Sequence, residues 1–414
     1  MICKSRKNMS NNILLFEHVE NIKQNALKFY LEKLSLKNFR NHVELDLHVN
    51  AVPILIYGDN GSGKTNILEA ISLLNQGKGL RKSNLQDFLC QNIESQTNPL
   101  WGVNADIKTP KGNFNIGTGI KDNSSQKSRI AKVNSENFLL STLDKIVKIL
   151  WITPQMCMLF QSGMSSKRRF LDQLASSLDS LHLSRVYKFE ALLRNRNKIL
   201  MDHKIDEAWL DTIEGHISEL SVAITATRID LINELNNLHN NELKNNLLTN
   251  NFPPVEVKLS GKVEILLSKN PALEVENYVK LMLKKSRFSS ENFNIGPNYT
   301  IIQFINIEKN KNTDFLSTGE QKLVLISLIL AHARMLNQKF NMSPILLLDD
   351  VIEHLDKKYR KSLFEEIMSH QSQTWFTSTS KEAFDDYPGL IKKIDLLKVK
   401  QSNKAKYDFR HGEV

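Results

Sequence analysis

The hydrophobic pattern of the chain changes near Phe29. Residues 1–28 are rich in Asn and Lys, which predicts a weakly ordered extension. Beyond them, every second residue from Val43 to Val49 is apolar, and this period of two predicts a strand with one buried face. The apolar run Ile54–Tyr57 predicts a buried central strand, and residues 66–75 have the periodicity of a helix.

A long helical segment occupies the middle of the chain. Residues 167–248 contain no proline, and steps of three, four or seven separate the apolar positions Ile213, Ile217, Leu220, Ile224, Leu231, Leu235 and Leu238. This spacing predicts two or three helices packed as a short arm. The sequence therefore divides into an extension (1–28), the first half of an α/β lobe (29–165), a helical insertion forming a second lobe (166–250), the second half of the α/β lobe (251–400) and a tail (401–414).

A glycine-rich loop follows the buried strand and precedes the first helix. It matches the phosphate-binding pattern G-x-x-x-x-G-K-[ST] with Gly58, Asp59, Asn60, Gly61, Ser62, Gly63, Lys64 and Thr65. Glycines let backbone N–H groups turn towards a phosphate, and the positive end of the helix faces the same anion. Lys64 is expected to reach the β and γ phosphates of ATP, and Thr65 to coordinate Mg²⁺. A chance glycine-rich turn fits less well, because strand, loop and helix occur together.

A second aliphatic run, Ile345–Leu348, ends in two carboxylates. It predicts a central parallel strand, whose carboxyl end lies where α/β sheets bind ligands. Asp349 is expected to hold the Mg²⁺ shared with Thr65, and Asp350 to orient or deprotonate the attacking water. An exposed acidic strand end is common, but beside a glycine loop the pair favours a nucleotide site. The predicted fold is α/β: a P-loop ATPase head of mixed sheet and helices, with the inserted helical lobe.

A polar motif, residues 317–322, precedes the strongly apolar segment 323–336. Its sequence Ser-Thr-Gly-Glu-Gln-Lys would by itself be an ordinary helix cap. Placed before the acidic strand, it resembles the signature motif of ABC ATPases. The order of motifs along the chain, from about Tyr30 to Thr379, resembles the RecF family of bacterial recombination mediators. The other matching segments are Leu34 with Lys37-Asn38-Phe39-Arg40-Asn41, Arg168-Arg169-Phe170-Leu171-Asp172, and Leu347-Leu348-Asp349-Asp350-Val351 with Leu355-Asp356.

The resemblance implies a head-to-tail homodimer that encloses two ATP molecules. The γ-phosphate held by the glycine loop of one chain would be bound by three residues of the other, Ser317, Gly319 and Gln321. Lys64 and Asp350 would be catalytic, and Gln155 would sense Mg²⁺ and the γ-phosphate, although a surface glutamine fits that position equally. The resemblance further implies a weak DNA-stimulated ATPase that assists recombinase loading at single-strand gaps in DNA repair, replication and the SOS response. Its implied partners are proteins of the RecR, RecO and RecA type.

The charge of the chain is compatible with a polyanionic partner. The net charge is +10 and the pI about 9.2, and a basic protein attracts phosphates without regard to sequence. No base-reading motif occurs, so binding to double-stranded DNA and gap junctions is expected through phosphates alone. Clusters of cations are often only solvated faces; the candidate contacts are Arg81, Lys82, Lys167, Arg168 and Arg169.

Several other classes of protein fit the sequence less well. Three scattered cysteines, the lack of a membrane-length apolar run and the lack of a secretory signal predict a cytoplasmic, nucleoid-associated protein with no membrane partner. A transporter ATPase subunit is disfavoured by the missing switch histidine, the basic pI and the helical insertion. An SMC or Rad50 type of chromosome ATPase would need a longer arm. A nuclease of the overcoming-lysogenization-defect type would need a further acidic domain, for which about 65 residues after Asp349 leave little room.

Overall fold

A computed structural model of the chain describes residues 27, 29–90, 100–123, 126–201, 206–244, 252–287 and 294–402. The predicted extension (1–28) and tail (401–414) lie outside these described residues, except for Leu27 and residues 401–402. The chain divides into two compact units: the first comprises residues 1–153 and 340–414, and the second runs from Pro154 to Lys339. Among the described helices, none is both long and apolar enough to cross a membrane.

The elements follow one another in three blocks. The chain enters the first unit through β1 (Tyr30–Phe39), β2 (His42–His48), β3 (Ile54–Tyr57), α1 (Lys64–Ser72), β4 (Gly102–Thr109), β5 (Gly112–Asn123), β6 (Gln126–Val133), β7 (Glu136–Phe138) and β8 (Ile149–Ile152). The second unit contains α2 (Met164–Ala175), α3 (His182–Leu200), α4 (Glu207–Lys244), β9 (Val255–Ser260), α5 (Lys262–Leu267), α6 (Ala272–Lys285), β10 (Ile301–Asn306), β11 (Lys311–Asn312) and α7 (Thr318–Phe340). The chain then returns to the first unit through β12 (Ile345–Leu348), α8 (Lys357–Ser369), β13 (Thr374–Ser378) and β14 (Lys392–Asp395).

A parallel five-stranded sheet in the first unit positions the candidate site. Its order is β14-β3-β13-β12-β8. Strands β8 and β12 are buried along their whole length, as is β3 except for Tyr57, which confirms the prediction of central strands for the apolar runs in β3 and β12. Because neighbouring parallel strands end at the same edge, the glycine loop after β3 and the acids after β12 begin at one edge of this sheet.

An antiparallel six-stranded sheet completes the first unit, in the order β2-β1-β4-β5-β6-β7. The predicted alternation in β2 is confirmed at Leu45 and Leu47, which are buried and pair with buried Leu36 and Leu34 of β1, whereas Val43 is exposed. Behind this sheet the rings of Phe39, Phe88 and Trp101 pack together with centroids 5.2–5.7 Å apart. The mixed sheets and helices agree with the predicted α/β head.

The second unit is larger than the insertion predicted for residues 166–250. Three helices, α2 to α4, do occupy that region. The apolar stripe of α4, however, is covered by elements from later in the chain: Ile213 and Ile217 share a core with Val279 of α6. The side-chain amide of Asn236 accepts from the backbone N–H of Val257 in β9 (3.0 Å) and donates to its carbonyl (2.9 Å). The unit therefore extends to Lys339, and it contains the three-stranded sheet β11-β10-β9.

Candidate nucleotide-binding site

The glycine loop between β3 and α1 requires glycine at defined positions. The φ angles of Gly58, Gly61 and Gly63 are 153°, 78° and 102°, and residues that carry a Cβ rarely adopt such positive values. At Gly63 a Cβ would also collide with the side-chain amide of Asn41. That amide donates to the carbonyl of Ser62 (3.1 Å), which ties the loop to the turn between β1 and β2.

The loop leaves donors available for an anion. No side chain caps the N-terminus of α1, whose first backbone N–H groups are therefore open to a ligand. The Ser62 hydroxyl is buried and has no hydrogen-bond partner among the described residues. The Lys64 ammonium is buried and donates to the carbonyls of Gly58 (2.7 Å) and Asp59 (3.0 Å). A phosphate group fits this set, because it would supply acceptors to Ser62, Lys64 and the helix end at once.

The predicted acid pair lies directly opposite the loop threonine. Thr65 Oγ1 donates to Asp349 Oδ1 (2.8 Å). Thr377, at the end of β13, donates to the same oxygen (2.9 Å) and accepts the backbone N–H of Asp350 (2.8 Å). Asp350 has a φ of 49°, a left-handed conformation that turns the chain immediately after the first acid.

The oxygen atoms of Thr65 and Asp349 fit Mg²⁺, which prefers hard oxygen ligands and commonly takes few from the protein. Within the described residues, no group of three or more His, Cys, Asp or Glu side chains could hold a metal ion. A metal at Thr65 and Asp349 would therefore take its remaining ligands from phosphate and water. Burial raises the pKa of Asp349, and the Asp350 charge raises it further, against hydrogen bonds from Thr65 and Thr377. A cation would relieve this unfavourable charge.

Two residues of the predicted family motif Lys37-Asn38-Phe39-Arg40-Asn41 support the loop helix. The guanidinium of Arg40 donates to both carboxylate oxygens of Glu69 on α1 (2.8 and 2.9 Å), and Glu69 is fully buried. Asn41 contacts the loop itself, and it accepts a hydrogen bond from Asn66 (2.8 Å). The resemblance to the family included Arg40 and Asn41 but gave them no role. Their role depends on the fold, which brings the turn between β1 and β2 beside α1.

Glu353 is a site residue that the sequence did not single out. Its Oε1 accepts from the backbone N–H (2.6 Å) and hydroxyl (2.9 Å) of Thr379, and it lies 3.3 Å from the hydroxyl of Ser378. Burial acts to raise the pKa of Glu353, but these hydrogen bonds and the nearby Lys64 charge lower it overall. Glu353 is therefore a carboxylate near the loop lysine. The sequence contains one signal for Glu353: it lies four residues after Asp349, between the matching segments 347–351 and 355–356.

In the second unit, the signature-like motif forms the exposed tip of α7. Ser317 and Glu320 cap the helix reciprocally: Glu320 Oε2 accepts from the backbone N–H and the hydroxyl of Ser317 (both 2.8 Å). Contact with Lys309 and these two bonds lower the pKa of Glu320 to about 2. Ser317 and Gly319 are exposed, whereas Gln321 is buried, with its amide bonded to the Thr313 carbonyl (3.0 Å) and to Gln161 (3.2 Å). The expected nucleotide contact of Gln321 is therefore corrected to a structural role.

The remaining candidates differ in accessibility. Gln155 is exposed in a short 3₁₀ turn at the start of the second unit. Arg81 and Lys82 are exposed in the first unit, where Arg81 donates to Asn66 (2.9 Å) beside the loop helix. Lys167 is corrected as a DNA contact, because its ammonium is buried and bonded to Asp314 (2.5 and 2.7 Å). The other two candidates are Arg168, which is half-buried and donates to the Thr300 carbonyl (3.0 Å), and Arg169, which is exposed.

The parallel sheet, the glycine loop, the acid pair at the same sheet edge and the signature-like helix define the head of an ABC-type ATPase. In agreement, residues 30–403 match the family model described as RecF/RecN/SMC N terminal domain. The chain is 34% identical over 363 residues to a DNA replication and repair protein RecF of Agrobacterium fabrum, covering 86% of this chain and 94% of the relative. It is 33% identical to RecF of Brucella suis, covering 90% and 96%. The chain belongs to the RecF family.

A solved structure supports the fold independently. The solved structure of the recombination mediator protein RecF-ATP in the RecFOR pathway superposes on this chain with a TM-score of 0.72. The two are 22% identical, and the match covers 90% of this chain and 97% of that chain. A second structure of that mediator, RecF-ATPrS, gives the same TM-score over 86% of this chain and 94% of that chain. The predicted fold and the predicted family are both confirmed.

Proposed function

We propose that the chain is an ATP-dependent DNA-binding protein of recombinational repair, with weak ATPase activity stimulated by DNA. The observation that carries this proposal is the contact between Thr65 and Asp349 (2.8 Å), beside a glycine loop in which the buried Ser62 hydroxyl has no hydrogen-bond partner among the described residues. Its relatives are named DNA replication and repair proteins, and the solved mediator structures contain ATP or ATPrS by name. These names support ATP as the ligand and repair as the setting.

The proposed chemistry divides between the loop and the acids. Gly58 to Thr65 would bind the phosphates, with Lys64 leaving its loop carbonyls for the β and γ phosphates. Thr65 and Asp349 would hold Mg²⁺, which would neutralise charge on the phosphates. Asp350 would orient or deprotonate the attacking water. Its left-handed backbone conformation (φ 49°) sets the direction in which its side chain leaves the end of β12.

The proposed active form is a head-to-tail homodimer joined by ATP. Ser317 and Gly319 lie exposed at the tip of α7, and the adjacent Phe315 is 83% exposed. In the single chain the hydroxyl and backbone N–H of Ser317 donate to Glu320, and a γ-phosphate would replace that carboxylate as their acceptor. Ser317 would bind the γ-phosphate held by the other chain. Hydrolysis would remove that contact and allow the dimer to separate.

The proposed setting is the cytoplasm, on the nucleoid. The dimer would bind double-stranded DNA and gap junctions through phosphates, and assist loading of a recombinase during repair, replication and the SOS response. Partners of the RecR, RecO and RecA type follow from membership of the family and from the RecFOR pathway named for the solved mediator.

Sedimentation with and without ATP and duplex DNA tests the proposal. The wild-type chain should dimerise only with ATP and then sediment with DNA. Lys64→Ala should lose nucleotide, dimer and DNA binding together, because the buried ammonium is the main cation of the loop. Lys111→Ala removes an exposed lysine from the same unit and should behave as wild type. A Lys64→Ala chain that still dimerised with ATP would exclude the glycine loop as the nucleotide site.

A further inference from the structure

The outward face of α3 carries cations that the fold does not use. Helix α3 contains five Lys and Arg residues and one Glu. Two cations are engaged inside the second unit: Arg185 contacts Asp179, and Arg196 is ion-paired with buried Glu214 (2.8 Å). The other three form no hydrogen bond or ion pair with any residue that the structure describes: Lys188, Arg194 and Lys198.

Helical geometry gathers these cations with other hydrogen-bond donors. Spacings of three, four, seven and eleven residues bring exposed side chains onto one side of α3, opposite buried Phe189. Tyr187 on this side is half exposed, at 50%. We call this side the α3 outer face; its exposed members are Ser184, Tyr187, Lys188, Arg194, Asn195 and Lys198.

The neighbouring helices mix both signs of charge. The exposed positions of α4 include the acids Glu219, Asp230 and Glu234. On α6, the exposed Lys280 and Lys285 also have no described partner, but that helix carries two Glu residues. Of these three helices α3 therefore has the largest net positive charge, and unpaired positive charge on an accessible helix attracts a polyanion.

We propose that the α3 outer face binds the phosphate backbone of duplex DNA. Lys188 and Lys198 lie ten residues apart, roughly 15 Å along the helix axis. Measured along the duplex axis, that distance covers about four phosphates of one strand. The three cations can therefore contact different phosphates at the same time. Tyr187 and Asn195 add neutral donors for phosphate oxygens, which position a protein without reading sequence. This inference rests on the proposed DNA-binding function. It assigns DNA contact to a surface of α3, whereas the predicted contact Lys167 is buried and bonded to Asp314.

The test compares two triple variants of the full chain with equal loss of charge. The first is Lys188→Gln with Arg194→Gln and Lys198→Gln. The matched control is Lys269→Gln with Lys280→Gln and Lys285→Gln, which removes three exposed lysines of the same unit that also have no described partner. Anisotropy of a labelled duplex of arbitrary sequence, with ATP, measures affinity as a function of salt.

The α3 variant should show a shallower dependence of log affinity on log salt, by about 2.7 for each α3 face of the dimer that contacts DNA, because each lost phosphate contact removes about 0.9. For each such face, the wild type should therefore lose roughly 40-fold more affinity than the variant between about 50 and 200 mM salt. The control should keep the wild-type slope. An unchanged slope in the α3 variant, or an equal drop in both variants, would overturn the α3 assignment. If the wild-type chain dimerises with ATP but does not bind duplex DNA, both the α3 assignment and the proposed DNA-binding function are contradicted.

Discussion

Asp349 is ionised only at a cost, because its carboxylate is buried and lies beside Asp350. Its pKa is raised in the folded chain and ordinary in the unfolded chain. The folded state therefore binds a proton at this site more tightly, and the charge of Asp349 lowers stability as the pH rises through the raised pKa. The same charge is the part of the site that suits Mg²⁺. Stability and function thus make opposite demands on one residue.

Asp349→Asn should consequently stabilise the nucleotide-free protein at neutral pH while abolishing Mg²⁺-dependent ATP hydrolysis. The amide oxygen can still accept from Thr65 and Thr377, so the gain should be about 1 kcal/mol in the free energy of unfolding. The gain should shrink as the pH falls, because wild-type Asp349 then takes up a proton. Urea unfolding across the acid range and an ATPase assay measure both effects. Asp386→Asn, at an exposed acid, is the control, and a destabilised Asp349→Asn protein would contradict the charge argument.

At the scale of elements, patterns within short segments were predictable and pairings between distant segments were not. The strands β3 and β12 and the glycine loop could be identified, because burial on both faces demands a continuous apolar run and phosphate binding demands a fixed motif. The extent of the second unit depends on β9 and α6, which cover α4 only after folding. Lys167 has the sequence neighbourhood of a DNA contact, but its partner Asp314 lies 147 residues away.

The motif Arg168-Arg169-Phe170-Leu171-Asp172 provides a prediction about the elements of the second unit. Asp172 of α2 is bonded by the guanidinium of Arg228 in α4 (2.8 Å to each oxygen) and by His182 of α3 (2.8 Å). Burial acts to raise the pKa of Asp172, but the bonds from His182 and Arg228 lower it overall. Arg228 also donates to the Pro297 carbonyl (2.6 Å). One buried ion pair therefore joins three helices and a loop.

Arg228→Met should destabilise the protein by about 3–5 kcal/mol, because it leaves the buried Asp172 carboxylate without its cation. Arg169→Met changes the exposed arginine of the same motif, and it should shift the free energy of unfolding by less than about 0.5 kcal/mol. Urea unfolding followed by circular dichroism compares the two variants. Similar losses in both would contradict the structural role given to Asp172 and Arg228.

At the scale of the whole molecule, the head-to-tail proposal assigns the two halves of each nucleotide site to different chains. The glycine loop belongs to the first unit, and Ser317 to the exposed tip of α7 in the second. Lys64→Ala removes one half, and Ser317→Ala removes the other. Each variant alone should lack the ATP-driven dimer, although Ser317→Ala should still bind nucleotide as a monomer, since its glycine loop is intact.

Mixing the two inactive variants should restore activity. A dimer of one Lys64→Ala chain and one Ser317→Ala chain contains one complete site, formed by the intact loop of the second chain and the intact serine of the first. Equal mixing should therefore recover up to roughly half of wild-type ATPase, because neither variant forms a homodimer and each mixed dimer has one working site of two. A double variant, with both changes in one chain, mixed with either single variant leaves no complete site and is the control. If both nucleotide contacts came from one chain, no mixture of the single variants could rebuild a site, and ATPase would stay at the level of the separate proteins.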